Sequence, residues 1–433
     1  MTDPFAVTLL LGTFFLLLLI GTNVAFAMAL SAMATLFYLD LPIQIAFQRI
    51  VSSLASFSLL AVPFFILAGD IMSQGGITDR LLRLARAIIG WIRGGLAMVN
   101  ILASMFFGGI SGSAIADVSS LGNVLIPAMA KSGYDRDFAT TVTMASSVQG
   151  MLIPPSHNMI IYAMAIGGGV SIGALFMAGL VPGVILGLAL MIYSYWVSHR
   201  KGYPVEASFS LRELMVSFVG AVWGMMTILI ILSGVLTGIF TATESAAIAV
   251  LWAMIVCVFI YRTARFAQLW QAFGKTVIPI AQVMIIIGAA GSFGWVIAFL
   301  RVPDYLANNV FDFVASKYTF LLAVNLLLIG LGLLASMTSI IVIMTPIIIP
   351  FLDKFEISYV HFGVLMILNL GIGLITPPVG GVLFVGSAIS RLSIERLSLA
   401  MLPFYAVMFF VLMVVTYFPL VSLWLPRLIG LSV

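Results

Sequence analysis

GMLIPP at residues 150–155 interrupts a long apolar stretch, and GIGLITPP at 371–378 interrupts another in the second half of the chain. Proline removes a backbone donor and its ring clashes with the preceding turn, while glycine relaxes the backbone, so neither stretch runs as one continuous helix. Each unwinds at its middle, leaving free carbonyls on one side and the N-terminus of a half-helix on the other. The two breaks are related. Aligned without gaps at an offset of 223 residues, Ile126-Pro127 falls on Ile349-Pro350, Lys131 on Lys354, Gly150 on Gly373, and Pro154-Pro155 on Pro377-Pro378. Apolar sequences often match one another, but paired IP, G and PP at one spacing mark an internal duplication.

The surrounding composition places these breaks in lipid. Of 433 residues, 63% are hydrophobic and 8% charged, far from the mixture of a soluble domain. A bilayer core about 30 Å thick needs about 20 apolar residues per helical span, and the runs 5–20, 218–240, 246–261 and 399–425 approach or exceed that length. A β-barrel would alternate in polarity, whereas these runs are apolar on every face, so the fold is all-α and membrane-integral. Cys257 is the single cysteine and only three histidines occur, which excludes a disulfide framework and argues against a transition-metal site. No Lys or Arg precedes Arg49, so the first span is not a signal peptide and is expected to stay in the mature protein. The net charge of +4 comes from basic residues in short connections, which report orientation rather than a nucleic-acid patch.

The most hydrophilic stretch, HRKGYPVEASFSLRE at 199–213, reads as a cytoplasmic linker between a first repeat at 1–198 and a second at 214–433. Within each repeat two segments are too short to cross. Residues 95–109 and 113–130 meet at GGISGS (108–113), forming a re-entrant hairpin over 95–130. Residues 319–334 and 338–352, meeting at ASMTS (335–339), form its counterpart over 319–352. The broken helices follow at 138–163 and 360–386. With the hairpins non-crossing, five spans remain in each half, ten in all, two of them broken. Five is odd, so the halves are inverted, as in many secondary transporters. With the N-terminus outside, five of the 19 Lys and Arg residues lie outside (Arg49, Arg301, Lys317, Lys354 and Arg427) and the other 14 are cytoplasmic. That asymmetry is the one expected of cytoplasmic loops.

Polar groups at membrane depth line a cavity or bind something, which singles out the hairpin tips and the breaks. Ser111, Ser113, Ser336, Thr338 and Thr376 supply hydroxyl oxygens, and the unwound backbone at Gly150 and Gly373 supplies carbonyls. Such oxygen cages suit sodium, a hard cation; the competing reading is that the hydroxyls only cap the returning helices. No Lys or Arg lies in a tip or a break, so an organic anion would draw on half-helix N-termini. Ser156, His157 and Asn158 follow the first double proline while Val379, Gly380 and Gly381 follow the second. Gln149, Ser156, His157 and Asn158 are therefore the candidates for contacting substrate. Asp70, Asp117 and Glu244 are acids in or near the membrane. Glu244 stands in a capping-box pattern with Thr241, Asp117 in the early turns of a hairpin helix, and Asp70 has no sequence partner. GISG (109–112) matches a motif of intramembrane serine proteases with His157 as an imaginable base, but a protease needs neither duplication nor ten spans. A channel would need no broken, inverted helices, and no phosphate-binding loop for ATP is present.

SLLAVPFFILAGDIM (58–72), GGISGSAIAD (108–117), IPPSHNMIIYA (153–163), LFMAGLVPG (175–183), GIFTATESAAIAV (238–250) and LITPPVGG (374–381) together resemble the large transmembrane subunit of tripartite ATP-independent periplasmic (TRAP) transporters, over essentially the whole chain. The resemblance implies a sodium-driven importer of carboxylates such as C4-dicarboxylates, sialic acid or other sugar acids in a bacterial inner membrane. It also implies two partners, a small membrane subunit of four helices and a periplasmic substrate-binding protein that selects the substrate. The fold it implies is an elevator, in which hairpins and broken helices move as a block. By the same resemblance, two or more sodium ions bind, one at Ser111, Ser113 and Gly150, another at Ser336 and Thr338 with Gly373 and Thr376. The second tip, Leu-Ala-Ser-Met-Thr-Ser, departs from the family's more usual Gly-Met with an acidic residue, and the SHN at 156–158 favours a sugar acid over a dicarboxylate.

Overall fold

A computed structural model describes residues 3–206, 208–264, 266–302, 316–333 and 335–433, and every regular element among them is helical. Short polar side chains start the helices. Asp3 accepts from Phe5 N–H at 3.0 Å to open α1 (Pro4–Leu19), and Asn23 accepts from Ala25 N–H to open α2 (Val24–Tyr38). Next come α3 (Gln44–Leu54), α4 (Ala61–Gln74) and α5 (Ile77–Ile89), whose Arg83 and Arg86 are exposed while Leu81 and Leu84 are buried. The first hairpin comprises α6 (Gly95–Ser111), the short α7 (Ala114–Asp117), a π-turn (Val118–Gly122) and α8 (Asn123–Lys131). α9 (Arg136–Gln149) and α10 (His157–Ala165) flank the first break. Then follow α11 (Ile172–Lys201), α12 (Leu211–Leu236), α13 (Ala242–Ile255) and α14 (Phe266–Phe299). The second hairpin is α15 (Lys317–Gly332) and α16 (Met337–Lys354); α17 (Tyr359–Gly373) and α18 (Gly381–Ser390) flank the second break, and α19 (Ile394–Tyr417) and α20 (Leu420–Leu428) end the chain. Leu334, expected at the end of a hairpin helix, and Ala207 in the linker lie outside the described residues.

Among the described residues, seven helices are long and apolar enough to cross a membrane by length and composition. The run at 399–425 is not one span. Pro419 bars the α conformation from Phe418, which sits at φ −118°, ψ 82°, so α19 stops and α20 starts afresh. The span expected at 246–261 begins earlier, at Ala242, because Thr241 and Glu244 form a reciprocal capping box. The linker is shorter than its hydrophilic stretch: α11 continues to Lys201, where Gly202 at φ +69° ends it, and α12 resumes at Leu211.

Three apolar cores organise these helices. One unites α6, α9, α10 and α11 with α15 to α19; a second joins α1, α2 and part of α14; a third joins α4, α5 and α13. In the first core both hairpins meet the breaks through glycine. A Cβ on Gly108 would stand 2.1 Å from Gly150 Cα, and one on Gly373 would stand 3.0 Å from Gly332 Cα. The breaks also meet each other, since a Cβ on Gly371 would press on Met151 Cε at 2.7 Å and Val148 Cγ1 at 2.8 Å. On α11, Gly179, Gly183 and Gly187 recur every fourth residue, and a Cβ on Gly179 would lie 2.3 Å from the Leu152 carbonyl. At the edge of this core, Asp135 pairs with Lys201 and accepts from the Tyr203 hydroxyl at 2.9 Å, fastening the start of α9 to the end of α11.

Two outcomes follow. Gly108→Ala should lower the thermal midpoint and abolish activity, since backbone cannot retreat and overpacking costs about 1–3 kcal/mol; Gly332→Ala, whose Cβ would find Gly373 Cα at 3.3 Å, should be milder, and Gly274→Ala, with nothing within 4 Å, harmless. A measured order other than this one would refute the backbone contact. The bond from Lys201, followed by that from Tyr203, holds the Asp135 carboxyl below its ordinary value despite partial burial. A depressed folded value adds stability above the unfolded value near 3.9 and loses it as pH falls through the folded one. Asp135→Asn should therefore cost roughly 0.2–1 kcal/mol at neutral pH, as exposed pairs do. In thermal melts across pH the difference should vanish in acid.

Candidate functional site

The first hairpin tip lies directly on the first break. Gly112, at φ +58°, turns the chain between α6 and α7, and a Cβ there would be 2.9 Å from the Pro155 carbonyl and 3.3 Å from the His157 nitrogen. A Cβ on Gly109 would be 3.1 Å from the Pro154 carbonyl, and one on Gly108 would be 3.0 Å from that of Gly150. Three carbonyls released by the break thus face a tip that carries Ser111 and Ser113. Ser113 Oγ accepts from Ala116 N–H at 3.4 Å, and Ser111 Oγ accepts from Ser113 N–H at 3.4 Å. Both hydroxyls therefore contribute to the turn, and each keeps a lone pair because a hydroxyl has two.

The second tip and break follow the same plan with different chemistry. Ser336 caps α16, accepting from Ser339 N–H at 3.4 Å, and its hydroxyl lies 2.6 Å from that of Ser339. Thr338 is half-buried beside it. Thr376 Oγ1 donates to the Ile372 carbonyl at 2.7 Å, which leaves its lone pairs open. The break is largely closed on itself: Thr376 N–H bonds the Gly373 carbonyl at 3.1 Å, Gly380 N–H that of Thr376, and the Tyr405 hydroxyl that of Ile375 at 2.7 Å. Hydroxyl and carbonyl oxygens without a cluster of acids or imidazoles fit an alkali cation, and among the described residues no group of three His, Cys, Asp or Glu could hold a metal. Ser111, Ser113 and the Gly150 carbonyl would hold such an ion in the first half, and Ser336, Thr338, Thr376 and Gly373 in the second.

Around the first break polar atoms are buried without partners. Ser156 N-caps α10 with no side-chain bond to the helix, and its hydroxyl, like His157 Nδ1, has no hydrogen-bond partner. Asn158 is buried next to them. The N-terminus of α10 therefore offers backbone N–H groups, an uncommitted hydroxyl and an imidazole nitrogen at one place. Gln149 belongs to a different face. Its Nε2 donates to the Ile101 carbonyl at 2.6 Å and its unpartnered Oε1 faces α11, 2.4 Å from where a Cβ on Gly187 would be. The structure thus groups Ser156, His157 and Asn158 and sets Gln149 against α6 and α11.

Residues not anticipated from sequence stiffen both junctions. Asn100 on α6 donates to Thr143 Oγ1 at 2.6 Å and Ser104 Oγ lies 3.0 Å from Ser146 Oγ, bracing α6 against α9. In the second half Asn369 on α17 donates to Asn325 Oδ1 on α15 at 2.7 Å. Each brace lies one to two helical turns from its glycine contact. Asp70 also has a partner, accepting from Gln74 Nε2 at 2.6 Å.

Residues 11–421 match the family model of the tripartite ATP-independent periplasmic transporter, DctM component. The chain is 38% identical over 424 residues to the isethionate TRAP transporter permease protein DctMQ of Oleidesulfovibrio alaskensis, covering 98% of this chain and 66% of that one. It is 37% identical over 413 residues to the sialic acid TRAP transporter large permease protein SiaM of Vibrio cholerae, covering 95% and 96% of the two. Its fold is also like that in the crystal structure of the Alcanivorax borkumensis YdaH transporter, with a TM-score of 0.60 at 14% identity over 88% of each chain. Permeases are not enzymes, which disposes of the protease reading of GISG. A backbone-lined junction of hairpin and broken helix, carried on an all-helical membrane fold and matched over nearly its whole length, places this chain in the DctM family, the large permease component of TRAP transporters.

Proposed function

We propose that the chain imports a small organic anion, a sugar acid such as sialic acid or a C4-dicarboxylate, driven by sodium and supplied by a periplasmic substrate-binding protein. The observation that carries this reading is the cluster of buried, unpartnered polar atoms on Ser156 and His157 at the N-terminus of α10, beside a tip faced by three backbone carbonyls. Buried polar groups in native proteins are nearly always bonded, so such a cluster marks a place where a ligand completes the pairing. Ser156, His157 and Asn158 receive the carboxylate, and one sodium ion at each hairpin-and-break junction neutralises its approach. A sialic acid permease among the relatives supports the sugar acid, and an isethionate permease supports a small anion in general.

The same reading includes an inverted duplication whose hairpins and broken helices move as a block against α1 to α4 and α12 to α14, with both termini periplasmic. A third component, a small membrane subunit of four helices, completes the transporter; this chain covers 66% of the isethionate permease, leaving room there for such a piece in one polypeptide.

In proteoliposomes the three components together should take up substrate along a sodium gradient, and this chain alone should not. Ser113→Ala and Thr376→Ala should each raise the sodium concentration for half-maximal uptake about tenfold or more, a loss of about 1.4 kcal/mol, without weakening docking of the binding protein. Uptake indifferent to sodium would overturn the coupling. For topology, single cysteines at Gly168 and Gly430 should react with impermeant reagents in intact cells. A cysteine at Lys201 that reacts equally well would refute the orientation.

A further inference from the structure

Asp117 ends α7, just past the first hairpin tip. Only 1% of the residue is exposed, and neither carboxylate oxygen has a hydrogen-bond partner. The sequence suggests a charge matched to a helix dipole. Through the π-turn Val118–Gly122, α7 runs on into α8, so Asp117 does stand in the first turn of a longer helix, but a helix dipole supplies no bond to either carboxylate oxygen. A carboxylate removed from water with no cation and only a serine hydroxyl near it is among the costliest things a membrane protein can hold, and such groups mark ion pathways.

Its surroundings are built of oxygen. The Ser104 hydroxyl on α6 faces the carboxylate and lies 3.0 Å from the Ser146 hydroxyl on α9. Ser146 Oγ can donate to the Thr143 carbonyl at 3.0 Å or to Asn100 Oδ1 at 3.4 Å, which makes Ser104 the donor between the two serines and leaves Ser146 one free lone pair. Oxygens on a hard cation of calcium's size sit about 2.3–2.6 Å from it, so neighbouring ligands fall about 3 Å apart. The Ser104–Ser146 separation, a hydrogen bond in the ion-free protein, is one that two ligands of such a cation also have. Both serines are fully buried, and α6, α7 and α9 pack on one another here with α18 against α7.

We propose that Asp117, Ser104 and Ser146 bind a sodium ion separate from the two at the hairpin junctions. This rests on the sodium coupling proposed above and adds a site with a formal negative charge, which neither tip possesses. An ion there cancels the charge of Asp117, so the block can cross the membrane without a bare carboxylate. Its ligands come from both arms of the first hairpin and from the broken helix, so occupancy holds tip and break together before substrate arrives.

Equilibrium binding of radioactive sodium to the purified complex of large and small subunits tests this. Asp117→Asn should bind one ion fewer per large subunit than wild type, Ser113→Ala should lack a different one, and the double variant should lack both. Without sodium, Asp117→Asn should melt at or above the wild-type temperature, because a carboxamide is easier to bury than a carboxylate. Sodium should raise its midpoint by less than it raises that of wild type. If that variant does not fold, Ser104→Ala with Ser146→Ala should show the same missing ion. Undiminished sodium binding by these variants overturns the proposal while leaving the hairpin sites intact, whereas wild type that binds no sodium overturns both. A proton gradient that drives sodium-free uptake by wild type but not by Asp117→Asn also overturns it, making Asp117 a proton site.

Discussion

Backbone lies against backbone where Gly108 meets Gly150 and where Gly332 meets Gly373, and the oxygen-rich junctions exist because nothing separates those chains. Even a methyl group on Gly108 would displace the hairpin, since the obstacle is a Cα and not the end of a flexible side chain. Contact at this range lets the carbonyls of Gly150, Pro154 and Pro155 point into the tip instead of into lipid, where unbonded they would be prohibitively exposed. The polar braces, Asn100 with Thr143 and Asn325 with Asn369, keep the helices from sliding across the glycine contact. Small residues allow the approach, and buried hydrogen bonds fix its register.

Much of this architecture was legible because its signals are local. A double proline after a glycine breaks a helix wherever it sits, and the same break at an offset of 223 residues gives two of them. The capping box of Thr241 and Glu244 needed only four consecutive residues, and the structure forms it. Less legible was the end of the last span: hydropathy runs unbroken through 399–425, so it conceals a stop imposed by the single backbone restriction of Pro419. Helix α5 was also obscured, because at 13 residues its alternation of arginines with buried leucines resembles a polar loop more than a span.

The site was legible as a set of places but not of partners. Tips and breaks could be named from hydroxyls and glycines, yet nothing in the sequence tells that the Gln149 amide turns toward Ile101 and α11 while Ser156 and His157 remain uncommitted. The stripe at Gly179, Gly183 and Gly187 went unread in the sequence, because the meaning of such a period of four depends on which helix lies across it. Asp117 shows the limit most clearly. Its position suggested a local electrostatic role, and only tertiary burial reveals a carboxylate shut away from water.

The two halves share a hairpin-and-break construction without sharing one task. The second break satisfies itself: the amides of Thr376, Gly380 and Val382 return to carbonyls of the break, and Tyr405 takes a further one. At the first break the carbonyls face the hairpin tip, and the hydroxyl and imidazole that follow the prolines have no partner. The amides of Gly150 to Ile153 also return to carbonyls just before them, so what sets the first break apart is the unpartnered side chains that follow its prolines, which have affinity to spend on something else. Under the proposed function the second half therefore supplies a sodium position and rigidity, and discrimination among anions belongs to the first. The difference originates in three residues, since Ser156, His157 and Asn158 stand where Val379, Gly380 and Gly381 carry no polar side chain at all.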